Sequence, residues 1–354
     1  MAGITYKCPS CGAYLAFNPD TQEWACPFCT SSFTEGDLLA REQGDAEQSN
    51  PKSQRAQQTG EAAGEQVVYH CPSCGSEIVT DETTVATNCY YCHNPVVLQG
   101  KLTADMRPDC VLPFTISKDK AVERFMGWVK KKHFVPAGFF NQAQVGQMSG
   151  VYYPYFVAQC EVDGSFEGEG LNTSTATTDK YIITSTQHFH VLREGKLHFN
   201  NIIRAALKST NRKLSDGIHP FPLDQAKPFS GAYLSGFLAE RRDLDAASIT
   251  EDLTQEVKGY VEPLLTEQLP YSSCHGNATA ALRELHTQYL LLPTWVLTYP
   301  NKQKKEDPYY YIMNGCTGEV CGKLPIQRSK LNVVSLLVAA GTFVVACLLS
   351  YFLF

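Results

Sequence analysis

The chain has 354 residues, 44% of them hydrophobic, with 18 Tyr and 18 Phe, so it can bury a sizeable core in two or three units and is not a disordered tail. Its formal net charge is −6, and residues 1–106 hold five Lys/Arg against thirteen Asp/Glu, which argues against an N-terminal arm built to grip phosphates. Fourteen cysteines suit either a disulfide framework or metal ligation, and the compartment decides which.

The first residues, MAGITYKCPSC, contain no apolar run of the kind a secretory signal needs. Cys8-Pro-Ser-Cys11-Gly12 is followed after fourteen residues by Cys26-Pro-Phe-Cys29. Cys71-Pro-Ser-Cys74-Gly75 is followed, again after fourteen residues, by Cys89-Tyr-Tyr-Cys92, a repeat at an offset of 63 residues that also carries Tyr6 to Tyr69. A C-x2-C turn presents two thiolates to one ion, and a hairpin brings a second turn to complete a tetrahedron with Zn–S near 2.3 Å. Gly12 and Gly75 are placed to take the left-handed conformation that closes each first turn. A unit of about 30 residues buries too little surface to fold alone, whereas a structural zinc contributes roughly 10–16 kcal/mol. The expectation is two Zn ions, one held by Cys8, Cys11, Cys26 and Cys29 and the other by Cys71, Cys74, Cys89 and Cys92. Four sulfur ligands leave no position for water, so both sites read as structural. His70 and His93 stand beside ligands as solvated neighbours, and Trp24, Phe28, Tyr90 and Tyr91 pack the small cores or meet a protein.

Between the modules, residues 35–66 are rich in Gln, Glu, Ala, Gly and Ser and read as a flexible linker. Such a chain spans roughly 30 Å on average, which would let the first ribbon range around the second.

From Pro108 the composition becomes that of a folded body. Val111 to Ile116 reads as a strand and Lys118 to Phe134 as a helix, with Ala121, Val122, Phe125, Trp128 and Val129 on one face and Lys130, Lys131 and Lys132 at its end. The lysine run reads as a solvated helix end in preference to a phosphate or lipid-headgroup site, with contact to an anionic membrane surface as a further alternative. Tyr152 to Val162, Tyr181 to Leu192 and Lys196 to Ile203 suggest an antiparallel sheet, with Gly164 to Asp179 as a loop. His188 and His190 alternate on one strand face with His198 opposite, a pattern that can bind metal but reads better as a half-buried sheet. Ser248-Ile-Thr-Glu251 fits a capping box opening a helix with Leu253, Val257, Tyr260, Val261 and Leu264 on its apolar face and Pro263 bending it. A second helix is expected over Asn277 to His286. Leu292 to Tyr299, Tyr309 to Asn314 and Glu319 to Leu324 read as strands, the last two a hairpin about Gly315–Gly318. The cysteines outside the tetrads read as buried thiols, including Cys274, whose neighbour His275 is poorly placed to activate it.

Leu331 to Phe354 contains no charged residue and supplies the roughly 20 apolar residues that a bilayer-spanning helix needs. Lys323, Arg328 and Lys330 precede it and nothing charged follows, so the positive-inside rule places the preceding 330 or so residues in the cytosol. A reducing cytosol makes the cysteines metal ligands and buried thiols rather than disulfides.

The ribbons resemble those of transcription factor TFIIB. With the pieces LPFTISKDKA, SGVYYPYFVA, AYLSGFLAE, LPTWVLTY and NGCTGEVCGKLP, nearly the whole chain resembles bacterial TFIIB-type zinc-ribbon membrane proteins, some labelled as relatives of the primosomal helicase PriA. The resemblance implies an inner-membrane protein that accompanies SPFH (flotillin-like) and phage-shock-type membrane-stress proteins as a membrane recruiter. Tyr90 and His93 depart from that pattern at the last knuckle. The helicase label fails, because none of Gly100-Lys101, Gly195-Lys196 or Gly322-Lys323 sits in a phosphate-cradling G-x-x-x-x-G-K-[ST] loop. No nucleophile elbow, H-E-x-x-H or G-x-G-x-x-G arrangement is present either.

The sequence therefore predicts an α+β chain: zinc ribbon one (1–34), linker (35–66), zinc ribbon two (67–100), a mixed antiparallel-sheet and helix body (108–327) and one transmembrane helix (331–354). Its expected role is a non-enzymatic, single-pass inner-membrane adaptor or scaffold for protein partners. The alternative is a membrane-tethered nucleic-acid-binding protein, disfavoured by the acidic arm.

Overall fold

The computed structural model describes residues 5–38, 67–98 (except 72–73, 75, 82, 90–91 and 93), 106–136, 145–208 (except 179), 215–299 and 309–353. The class is α+β, with mixed sheets, two cysteine clusters and an apolar C-terminal helix. Ribbon one has its own antiparallel sheet of β1 (Ala16–Asn18), β2 (Glu23–Ala25) and β3 (Ser32–Phe33). Ribbon two pairs β4 (Val67–His70) with β5 (Glu77–Thr80), then β6 (Thr84–Asn88) with β7 (Pro95–Val97).

The body opens with β8 (Cys110–Val111) and α1 (Lys118–Lys130), whose Ala121 and Phe125 are buried. Two very long strands follow, β9 (Ser149–Thr177) and β10 (Ile182–Ala205). The chain continues through β11 (Lys227–Pro228), β12 (Leu238–Glu240), α2 (Ala246–Thr266), a third long strand β13 (Ser273–Tyr299), β14 (Tyr309–Asn314), β15 (Val320–Lys323) and α3 (Arg328–Leu353). The main sheet runs β11-β8-β13-β9-β12-β6-β7, with β10 also on β9 and the β14–β15 hairpin on β13. β9 pairs with β12 at Val151 and Tyr152 and with β10 from Tyr155 onward, so one strand joins ribbon two to a projecting three-stranded blade. At about 3.3 Å per residue, the 29 residues of β9 reach roughly 90 Å.

Two of the expected elements are replaced by this blade. Residues 164–177 form the distal half of β9, not a loop. Their glycines mark close approach rather than turning. A Cβ at Gly168 or Gly276, which pair across β9 and β13, would collide with the facing backbone and with the Phe166 ring. Phe166 is fully buried over that gap. Residues 277–286 are strand rather than helix, because their helix formers alternate: Ala278, Ala280, Leu282 and Leu285 face α2, with a bulge at Leu282/Glu284 restoring the phase. Pairing with β9 overrides local helix propensity here.

α2 covers one face of the blade through Leu253, Val257, Val261 and Leu265. It begins at Ala246, ahead of the expected capping box, with Ser248 Oγ donating to the Asp245 carbonyl at 2.6 Å. It runs through Pro263, and Tyr260 and Leu264 lie at its exposed side. Arg204 of β10 pairs with Glu256 of α2, both largely buried. At the other end of the body, Phe114, Tyr152, Phe237 and Trp295 pack together, with Phe114 stacked on Phe237 at 4.3 Å between centroids.

α3 continues from the body as a helix of 26 residues, about 40 Å long, apolar over most of its length and exposed from Arg328 to Tyr351. It is long and apolar enough to cross a membrane.

Candidate metal centres

In each ribbon the four sulfurs lie within 4.8 Å of one another. Cys8–Cys29 and Cys11–Cys26 are separated by 3.5 Å between Sγ atoms, and Cys71–Cys92 and Cys74–Cys89 by 3.7 Å. A tetrahedron with metal–sulfur bonds near 2.3 Å has edges of about 3.8 Å, so the donor sets fit one metal ion each. None of these cysteines is in a disulfide. Cys8 and Cys26 are buried while Cys11 is exposed, and the same division holds for Cys71, Cys89 and Cys74. Each centre therefore sits at the rim of its ribbon with its inner sulfurs in the core.

The knuckles are closed by the backbone. Gly12, at φ +75°, donates its N–H to the Cys8 carbonyl at 2.9 Å. Thr30 takes the same left-handed conformation at φ +58° and donates to the Cys26 carbonyl at 3.1 Å. Gly75, Tyr90 and His93, on which the reading of the second ribbon's knuckles turned, lie outside the described residues. A serine stands beside one thiol in each tetrad. Hydrogen bonding with Ser31 holds the Cys29 thiol down at about 6, and Ser76 lowers Cys74 in the same way. Cys11, although the Ala13 backbone works to lower it, is pushed up to about 12 by the neighbouring Cys29 sulfur. Burial raises Cys92 to about 12. In each cluster one thiol is thus lowered and another raised, and a bound ion would displace the remaining protons.

Ribbon one is seated on the body instead of ranging about ribbon two. Trp24 Nε1 donates to the Ala232 carbonyl at 2.7 Å, and Gln22 Nε2 donates to the Phe114 carbonyl at 2.8 Å. Ser235 Oγ donates to the Leu15 carbonyl. Phe17 and Trp24 pack on Tyr233 at 5.3 and 5.0 Å between centroids. The expected linker begins differently as well: Thr34 caps a helical turn with Asp37, Leu38 is buried, and Glu35 pairs with Lys227 at 3.3 Å. Residues 39–66 lie outside the described residues. The seat was hard to foresee because the docking contacts join residues about 200 apart in sequence, and no periodicity records them.

Ribbon two is attached through its strands. β6 pairs with β12, Ala86 opposite Ala239, so its second hairpin is part of the main sheet. The ribbons also touch, Thr5 Oγ1 donating to the Pro95 carbonyl at 3.0 Å. Where they meet the body lies a cavity of about 290 Å³ lined by Phe17, Asn88, Ser149, Phe237 and Trp295 among others.

The three histidines of the sheet do share a face, but each bonds its own carboxylate: His188 to Glu169 at 2.7 Å, His190 to Glu167 and His198 to Glu161 at 3.2 Å. All three glutamates come from β9, and Glu167 and Glu169 lie in the part expected to be a loop. Cys274 and His275 point to opposite faces of β13, the thiol toward α2 and the imidazole to solvent. Cys316 donates to the Pro113 carbonyl at 3.3 Å, and burial pushes its thiol up to about 12.

Over 354 aligned residues the chain is 28% identical to "Uncharacterized protein YdjG" of Bacillus subtilis (strain 168), covering 98% of this chain and 97% of that protein. No family model matches the chain, and no solved structure matches it.

Proposed function

We propose that this protein is a non-enzymatic adaptor, anchored in the bacterial inner membrane by α3, which organises cytosolic proteins at the membrane surface through its ribbons and body. The metal is zinc, since four thiolates at tetrahedral spacing suit a soft-ligand structural site with no open position. The observation that carries the reading is that two four-cysteine clusters are built into one body that ends in an apolar helix exposed from Arg328 to Tyr351. Lys323, Arg328 and Lys330 beside that helix support a cytosolic body. The resemblance to TFIIB-type zinc-ribbon membrane proteins makes SPFH-type and phage-shock-type proteins the partners to try first. Nucleic-acid capture has less support, given the five Lys/Arg among residues 1–106.

The test is partner capture from membranes carrying the wild-type chain or the Cys71→Ala/Cys74→Ala double variant. The variant is expected to stay in the membrane fraction and lose its protein partner. Capture that survives both substitutions removes ribbon two as the docking site. Alkaline extraction of the wild-type chain from membranes would remove the anchor.

A further inference from the structure

The end of α1 and the start of α3 are far apart in sequence but lie together. The Gln327 N–H donates to the Phe134 carbonyl at 2.7 Å. Beside this bond is an open cavity of about 630 Å³ lined by His133, Phe134, Ser329, Lys330, Val333 and Val334. Its chemistry is divided. Val333, Val334 and Phe134 make an apolar wall that continues the exposed flank of α3, while Lys330, His133 and the Ser329 hydroxyl form a polar mouth at the root of the helix.

The surrounding charge has one sign. Lys130, Lys131, Lys132, Arg328 and Lys330 are exposed, and Lys132 Nζ lies 5.1 Å from the centre of the Trp128 ring. Residues 124–136 and 320–353 contain no Asp or Glu. A solvated helix end accounts for a lysine at the close of α1. It does not account for the juxtaposition with a second basic segment, an aromatic ring and an apolar slot opening along a candidate span.

We infer that this slot is a binding site for an anionic phospholipid, its headgroup phosphate held by Lys330, His133 and the α1 lysines and an acyl chain lying along Val333 and Val334. The inference rests on α3 spanning a bilayer, as proposed above. A bound lipid fixes how the body meets the membrane: α1 lies against the headgroups, with Trp128 at the depth interfacial aromatics favour.

The full chain in nanodiscs of phosphatidylcholine with a minority of phosphatidylglycerol, read by native mass spectrometry of the retained lipids, tests this. The wild-type chain is expected to retain phosphatidylglycerol preferentially. Each basic residue near an anionic surface contributes about a fivefold preference, so Lys131→Gln/Lys132→Gln/Lys330→Gln should reduce it by at least about tenfold. Val334→Trp keeps every charge and fills the slot, and should lose the retained lipid as well. Free glycerol phosphate should not displace the lipid. Equal retention of both lipids by the wild-type chain, an unchanged preference in the lysine variant, or displacement by glycerol phosphate overturns the site. A lipid preference that survives Val334→Trp also overturns it, leaving diffuse attraction to the surface. If the chain leaves membranes at alkaline pH, the span itself falls and the site with it. If the chain stays inserted without a lipid preference, only the site falls.

Discussion

The two ribbons carry the same ligand spacing and are attached to the body in opposite ways. In ribbon one, Phe17 and Trp24 are buried against Tyr233, and the indole donates to a body carbonyl. The residues 63 positions later are Thr80 and Thr87, both buried in ribbon two and neither carrying a ring to dock. Ribbon two instead lends β6 to the main sheet through β12. The metal geometry is common to both because it depends on eight cysteines and the turns between them. The attachment differs because it depends on what the outward positions of each hairpin carry. A side-chain seat can be lost with the ribbon intact; a shared strand cannot.

The largest expected effect breaks the second attachment. Cys89→Ser should lower metal content from two ions to one per chain and, because β6 belongs to the main sheet, destabilise the body by about 4 kcal/mol or more. Cys26→Ser should remove one ion too, yet lower the body's melting temperature less. Equal losses would mean that the two ribbons are coupled to the body alike.

Trp24→Ala comes next. It removes a buried ring and its hydrogen bond, at a cost of about 3–5 kcal/mol, and should release ribbon one with its metal still bound. Hydrogen exchange over residues 5–38 together with metal analysis reads the two outcomes separately. Retained protection would show that Gln22, Ser235 and the Glu35–Lys227 pair hold the ribbon without the indole.

The smallest effect is at the edge of the same seat. Lys120 pairs with Asp20 at 2.8 Å, and its hydrogen bond holds the Asp20 carboxyl below the usual 3.8. A depressed folded value stabilises the seat above the unfolded value and is lost as pH falls through the folded one. Both groups are well exposed, so Lys120→Ala should cost no more than about 0.5 kcal/mol at neutral pH and nothing in strong acid. A pH-independent loss would point to packing by the lysine stem instead.

Parts of this design were legible because they depend on short stretches of chain. The metal ligands follow from C-x2-C spacing, and the candidate span from an uncharged run. α1, the β14–β15 hairpin and the buried face of α2 around Leu253, Val257 and Val261 follow from local periodicity. The blade was missed because its signals point the wrong way locally. Gly164, Gly168 and Gly170 imitate a loop, and Ala278 to Leu285 imitate a helix, until β9 and β13 are laid side by side. The His–Glu pairs across β9 and β10 were hidden by the same error.

By itself, then, the sequence determined the ligand sets of two ribbons and a helix able to cross a bilayer. Each depends on residues near one another in the chain, where spacing and hydrophobicity suffice. Tertiary structure alone decided that ribbon one is held by Tyr233 and Ala232, that ribbon two extends the main sheet and that α1 closes on the root of α3. Those arrangements rest on close packing and hydrogen bonds between residues far apart in the chain, and such contacts leave no periodic mark on either partner.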